Sequence, residues 1–395
     1  MASFVTHLVC SSCDTKHEAG VEQHVCTSCG SPLLVEYDLD RMRDAVRREE
    51  VEEREPTMWR YRELLPLRDD RNRVSMGEGF TPLVRVDALA ADLGLRNLWL
   101  KDDGQNPTGT FKARGASCGL SLAKELGIRE VSMPSSGNAG GAWACYGALA
   151  GVQVHVTVPT SVPPLCRAEV LMHGADLVVA GDTLPESAAA AAKHVETDGW
   201  YDAATWREPY RLEGKRTFGL EIAEQLGWSL PDVIVYPTGG GLGVVAIYRA
   251  MSQLRELGWV SGDLPRMIAV QAEGCRPLVD ALERGAEDTV TWPEARTIAS
   301  GMRVPKSLGH ALVLRTIRES GGTGVTVTDQ EMLDAMVRTG STTGIQPCPE
   351  GASTIAAIPK LRESGVIDPN EHVVAVSTGS ALRYQEAMAA ATSRP

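Results

Sequence analysis

The stretch NLWLKDDGQNPTGTFKARG, running from Asn97 to Gly115, reads as a short apolar strand, a loop bent by Pro107 and Gly109, and the start of a helix that carries Lys112 in its first turn. The same order recurs outward in both directions. Short β-branched runs (EVSMP, VQVHVTVP, DLVVAG, DVIVYPTGG, RMIAVQAEG and HVVAVSTG) alternate with longer Ala- and Leu-rich segments that close near glycine or polar clusters. Strands apolar on both faces and separated by helical segments predict parallel sheets built from βα units, so the fold class is α/β.

In such sheets ligands sit beyond the carboxyl ends of the strands, which directs attention to three loops. In the first, Thr108 or Thr110 can cap the helix that Lys112 enters. A lysine at the positive end of a helix dipole is favoured in its neutral form, and a neutral amine attacks carbonyls. By itself the pattern equally suits an exposed surface lysine. The second loop, PSSGNAGGA from Pro134 to Ala142, packs serines and glycines ahead of a helix and adds the amide of Asn138. It suits an anion such as a carboxylate or phenolate, or simply a tight turn capped by Ser135 or Ser136. The third, PTGGGLG from Pro237 to Gly243, lets the backbone form a nest for a phosphate dianion. It matches neither the dinucleotide nor the Walker fingerprint. A lysine able to form a Schiff base, an anion-binding turn and a phosphate nest together describe pyridoxal 5'-phosphate.

The chain has 395 residues, of which 43% are hydrophobic and 23% charged, values of an ordinary soluble protein long enough for more than one lobe. The net charge of −12 argues against a nucleic-acid partner. No run approaches the roughly 20 apolar residues of a membrane span, and the N-terminus lacks a signal pattern, so the expected location is the cytoplasm. Of nine cysteines, Cys10, Cys13, Cys26 and Cys29 form CxxC, a twelve-residue gap and a second CxxC. That spacing predicts a zinc-ribbon-like segment over residues 1–40 that holds zinc; the other reading is the same ribbon with reduced, metal-free thiols. Residues 41–56 are dense in charge and read as a solvated helix or linker ending at Pro56.

Beyond these loops, SMGEGFTPL (Ser75–Leu83), NPTGTFKARG, SSGNAG, TIASGMRVPKSLGH (Thr297–His310), PEGAST (Pro349–Thr354) and STGSALRY (Ser377–Tyr384) give the chain a resemblance to the threonine synthases among the fold type II pyridoxal phosphate enzymes. The resemblance implies a large cofactor-binding lobe over 41–112 and 206–395 and a small mobile lobe over 113–205. It makes Lys112 the Schiff-base lysine, with Phe111 packed by the ring and Asn138 bonded to the phenolate oxygen. Gly239, Gly240, Gly241, Leu242 and Gly243 would cradle the phosphate, and Thr378 would face the pyridine nitrogen. Thr108, Ser135, Ser136, Arg303 and Lys306 are candidate contacts for a small amino-acid substrate, and a phosphorylated one could also meet Arg114, Arg167 or Lys215. The implied reaction takes O-phospho-L-homoserine and water to L-threonine and phosphate in a homodimer. Two departures bear on the substrate: Ala113 stands where many members carry an acid, and the glycine loop lacks an asparagine found in several. A β-replacement enzyme, a serine or threonine dehydratase, a specialised biosynthetic relative and a non-catalytic cofactor-binding protein remain open alternatives.

Overall fold

The computed structural model describes residues 3–393. Its strands in chain order are β1 (Val5–Cys10), β2 (Lys16–Glu18), β3 (Leu33–Tyr37), β4 (Leu83–Arg85), β5 (Asn97–Asp102), β6 (Glu130–Pro134), β7 (Gln153–Val158), β8 (Asp176–Val179), β9 (Tyr201–Asp202), β10 (Val233–Pro237), β11 (Arg266–Ala272), β12 (Thr323–Val327) and β13 (His372–Ser377). Every apolar run named above lies on one of them. The chain divides into two units. The first comprises the chain up to Gly79 together with Lys112–Thr217, and the second comprises Phe80–Phe111 and everything from Phe218 onward.

The first unit holds two sheets. β2-β1-β3 is a small antiparallel ribbon, and β8-β7-β6-β9 is parallel throughout. The helices Lys112–Glu125 and Asn138–Ala150 pack with the parallel sheet around Leu120, Met133, Trp143, Tyr146 and Val156. The charged segment after the ribbon folds as two short helices, Leu39–Ala45 and Arg48–Glu52, each burying little more than one side of a turn. The alanine run at 188–192 lies in the helix Leu184–Asp198, which opens on a Thr183/Glu186 capping box. The predicted small lobe, residues 113–205, falls within this unit, and the ribbon belongs to it too.

The second unit is one six-stranded sheet in the order β12-β11-β10-β13-β5-β4, parallel except for β4. β10 is buried along its whole length and β11 beyond its first residue, as expected of central strands covered on both faces. Val233, Val235, Ile268, Val270, Val373 and Ala375 form its core with Ile355 and Ile358 from the helix Pro349–Glu363. β10, β13 and β5 are parallel neighbours, so their carboxyl ends lie side by side at one end of this sheet.

Candidate active site

In the second unit the carboxyl ends of three neighbouring strands deliver three loops to one place. β5 opens into 103–111, β13 into 378–380 and β10 into the glycine loop. The first two loops are stitched together by backbone bonds: the Phe111 N–H donates to the Thr378 carbonyl at 2.9 Å, and the Ser380 N–H to that of Gly109 at 3.0 Å. Gly109 has φ +66°, which turns the chain back within the loop. The Phe111 ring meets Tyr236 edge-on at 6.5 Å and Phe218 at 6.1 Å. Phe111 is therefore fixed by both backbone and ring, and with it the bond that leads into Lys112. Thr108, also in this loop, is buried with its hydroxyl lacking a hydrogen-bond partner.

The glycine loop follows β10. Gly241 sits in the left-handed region at φ +80° and precedes the helix Leu242–Glu256 without any side-chain cap, so the first N–H groups of that helix are not claimed by a capping side chain. A Cβ on Gly239 would lie 2.2 Å from the Gly301 carbonyl, and one on Gly243 2.0 Å from the Tyr236 ring. Only glycine fits at either position. His310, the last residue of the TIASGMRVPKSLGH motif, braces this loop. Its Nε2 donates to the Gly239 carbonyl at 3.1 Å, and its Nδ1 accepts from the Thr289 hydroxyl at 2.9 Å.

Burial pushes the His310 imidazole down to about 4, with the Gly239 contact opposing that shift. The folded state thus keeps it neutral between roughly 6.5 and 4, where the unfolded chain takes up a proton. Its share of stability is complete above the upper limit and is lost as pH falls through the lower one. We expect about 3 kcal/mol of acid-dependent destabilisation from this group across that window. Denaturant titrations at pH 7 and pH 4 should show it in the parent chain. The same slope in His310→Gln would refute it.

Thr378 heads the loop after β13, its hydroxyl 3.8 Å from the Cys348 thiol. Burial raises that thiol well above its ordinary range, so it is a neutral neighbour. Glu350 in PEGAST is structural here. It accepts from the Gly301 N–H at 2.7 Å and from the Tyr384 hydroxyl at 2.7 Å, which holds the 300–302 turn packed on Gly239. Arg303 follows that turn directly, whereas the Lys306 amine is bound to the Asp288 carboxylate at 2.6 Å and to the Thr289 carbonyl.

In the first unit Lys112 is the opening residue of the helix Lys112–Glu125, and Asn138 opens the helix Asn138–Ala150. Gly137 precedes Asn138 with no side-chain cap. The Ser135 hydroxyl is used inside its own turn, donating to the Gly137 carbonyl at 2.9 Å and accepting from the Gly140 N–H at 2.9 Å, whereas Ser136 is half-buried beside it. The turn-capping reading of Ser135 therefore describes what the side chain does. Gly115, one turn after Lys112, lies against Arg211 and Lys215 of the helix Tyr210–Gln225, with the Lys215 Cε 3.5 Å from where a Cβ would be. Lys215 is buried, and desolvation first, then the charges of Lys112 and Arg211, holds its amine well below the usual lysine range. Arg211 lies 4.6 Å over the Trp143 ring and 3.6 Å from Glu208. Arg114 is fully buried and donates to the Thr217 hydroxyl at 2.7 Å, and Arg167 bonds the Thr160 carbonyl.

One carboxylate ties this half together. Glu78, fully buried in SMGEG, accepts from Trp59 Nε1 (3.0 Å), the Ser117 hydroxyl (2.6 Å), the Tyr146 hydroxyl (2.7 Å) and the Met76 N–H (2.8 Å). Ser117 lies on the helix that Lys112 opens and Tyr146 on the helix that Asn138 opens. Neither His310 nor Glu78 stood out as a site residue in the sequence. Their only signal was membership of a motif, because a brace is recognised by its partners, which are 71 and up to 68 positions away.

At the far end of the first unit, Cys10, Cys13, Cys26 and Cys29 have all four sulfurs within 4.8 Å of one another. Two are buried and two exposed.

Comparison with known proteins agrees with this arrangement. A family model described as pyridoxal-phosphate dependent enzyme matches residues 74–379. A threonine synthase of Methanosarcina acetivorans is 36% identical over 95% of this chain and 92% of its own length, and one from Methanocaldococcus jannaschii is 33% identical over 98% and 95%. Among solved structures, maize serine racemase aligns with a TM-score of 0.67 at 22% identity, covering 76% of this chain and 88% of that one, which speaks to the fold alone.

Proposed function

This chain belongs to the family of pyridoxal-phosphate dependent enzymes, and from that membership we propose that it converts O-phospho-L-homoserine and water to L-threonine and inorganic phosphate. What carries the reading is its kinship with threonine synthases along nearly the entire chain, ribbon included.

The residues present fit the cofactor. Around Gly239, Gly241 and Gly243 the backbone comes so close to its neighbours that any Cβ would collide, and the helix behind them starts without a side-chain cap. The close packing fixes the loop, and the uncapped helix N-terminus behind it suits a phosphate dianion. In our reading Gly239, Gly240, Gly241, Leu242 and Gly243 would hold the phosphate, Phe111 would pack by the ring, Asn138 would donate to the ring oxygen, and Lys112 would be the amine that holds the aldehyde. When bound, the cofactor supplies the electron sink that acidifies the substrate's Cα and Cβ protons.

The chain's own residues do the rest. Once displaced by the substrate amine, Lys112 takes the proton from Cα and moves protons among the neighbouring carbons, a task that suits an amine at the positive end of a helix. Loss of a Cβ proton would supply the electron pair that expels phosphate from Cγ; a proton would then return to Cγ and water would add its oxygen at Cβ. Thr378 would offer a neutral hydroxyl to the ring nitrogen, and with the neutral Cys348 thiol beside it that environment would not favour protonating the nitrogen. Thr108 has a buried hydroxyl in need of a partner, which suits a substrate oxygen. Ser136 and Arg303 are the remaining candidate substrate contacts. Ser135 and Lys306 already have partners inside their own loops, so their part would be to shape the site. We further take residues 113–205 as the part that moves on substrate binding, and the enzyme as a cytoplasmic homodimer. Among the described residues no helix is long and apolar enough to cross a membrane.

The test is to incubate cofactor-loaded protein with O-phospho-L-homoserine and measure inorganic phosphate and threonine in the same tube. Equal amounts of both are the expected result. Retained cofactor without phosphate release would sink the substrate assignment. Ala113, in place of the acid many members carry, would then direct the search to phosphoserine, serine and threonine, the substrates of replacement and dehydration chemistry.

A further inference from the structure

We propose that Cys10, Cys13, Cys26 and Cys29 bind a single zinc ion, and that this ion locks the N-terminal ribbon onto β9 and the helix Tyr210–Gln225.

The geometry of the site is that of two knuckles facing each other. Cys10 Sγ lies 3.3 Å from Cys29 Sγ, Cys13 Sγ 3.6 Å from Cys26 Sγ and 3.5 Å from Cys29 Sγ. Within each knuckle backbone N–H groups point at the first sulfur: Ser12 and Cys13 toward Cys10, and Ser28 toward Cys26, all at 3.4 Å. Such N–H groups stabilise thiolates rather than thiols. Four sulfurs on two reverse turns, with no nitrogen or oxygen ligand among them, select a thiophilic d10 ion in tetrahedral coordination and leave no open position for chemistry. The role is therefore structural.

Its target follows from what the ribbon touches. The segment between the knuckles carries His24, whose ring lies 4.7 Å from that of Tyr201 on β9, and the Tyr201 hydroxyl donates to the Gln23 carbonyl at 3.2 Å. At the other end of the ribbon, the Tyr37 hydroxyl on β3 donates to Glu213 at 2.7 Å, and Arg216, paired with Glu213, lies 4.9 Å over the Tyr37 ring. β9 pairs with β6, the strand that delivers Asn138, and the helix bearing Glu213 also bears Arg211 and Lys215 beside Gly115. Two tyrosine contacts thus connect the cysteine knuckles to the elements of the first unit that lead to Asn138 and flank Gly115. A three-stranded ribbon of this size has too little core to hold its shape alone, so the ion supplies the missing rigidity. This inference does not depend on the identity of the substrate.

The full-length chain, purified from zinc-replete medium, should carry about one zinc per chain by elemental analysis. The double variant Cys13→Ser/Cys29→Ser should lose it and melt about 5 °C or more lower. Hydrogen exchange should accelerate in residues 201–217 as well as in 5–37, and stay unchanged in β10, β11 and β13. If that variant does not fold, stripping zinc from the folded parent with a mercurial and a chelator reads the same quantities. A parent chain that holds iron or no metal overturns the site. Exchange that rises inside residues 5–37 alone overturns the lock, and so does a His24→Ala variant that keeps its zinc and leaves exchange at 201–217 unaltered. Cofactor absorbance is followed in parallel, so failure here is separable from failure of the reaction assigned above.

Discussion

Replacing Lys112 by alanine should eliminate the yellow of the lysine-bound cofactor and lower phosphate release by roughly 10,000-fold or more, with circular dichroism and melting temperature unchanged. The fold should survive because the backbone leading into Lys112 is held by other groups. Phe111 is held by its amide on the Thr378 carbonyl and by its ring against Tyr236 and Phe218, and alanine is a better helix former at the next position. Function should not survive, because the same amine is needed to bond the cofactor aldehyde and then to move the Cα proton. Removing such a doubly used group costs more than either role alone. A variant that stays yellow and active would mean that another amine bonds the aldehyde. Lys215 is the one to inspect first, since it is buried, its Cε lies 3.5 Å from where a Cβ on Gly115 would be, and the charge of Lys112 reaches it.

The second large effect concerns stability. Glu78→Ala should cost about 4 kcal/mol in denaturant titrations, and Glu78→Gln about half of that. Alanine removes the carboxylate that accepts from the buried Trp59 indole N–H, the buried Ser117 and Tyr146 hydroxyls and the N–H of exposed Met76; Trp59 keeps the Ser117 hydroxyl at 2.9 Å, and each buried donor left without a partner carries a penalty of about 1–3 kcal/mol. The penalties do not simply add, because Ser117 can still donate to the Val74 carbonyl at 2.7 Å. Glutamine restores one acceptor but turns an amide donor toward a group that also donates. Cofactor affinity should fall with stability, since the helices opened by Lys112 and Asn138 share this carboxylate as an anchor. A melting curve within about 1 kcal/mol of the parent would show that the network carries little of the unit.

Parallel βα architecture, the three unusual loops and the paired CxxC knuckles are all local patterns, and each was legible before any coordinates. Runs such as DVIVY are buried on both faces because they are central strands, and PTGGGLG has to be glycine because of what its Cβ atoms would strike. Lys112 was recognisable because the turn and helix start that surround it, from Asn106 to Gly115, are contiguous in the sequence. The cysteine knuckles were visible for the same reason: within each one the two cysteines are three residues apart.

The tertiary structure decided which tempting side chains already have other partners. Ser135 bonds its own turn, as one of its two sequence readings had it, whereas the bond of Lys306 to Asp288 and those of Glu350 to Gly301 and Tyr384 are ones that spacing could not foretell. It also revealed the braces: His310 on Gly239, Cys348 beside Thr378, Glu78 under both helices, and Lys215 against Gly115. The physical reason is the same throughout. Sequence fixes what the chain does within a turn or a strand, because there the covalent backbone sets the neighbours. A hydrogen-bond partner dozens of residues away, and the burial that moves a proton affinity, come into being only when the chain has packed.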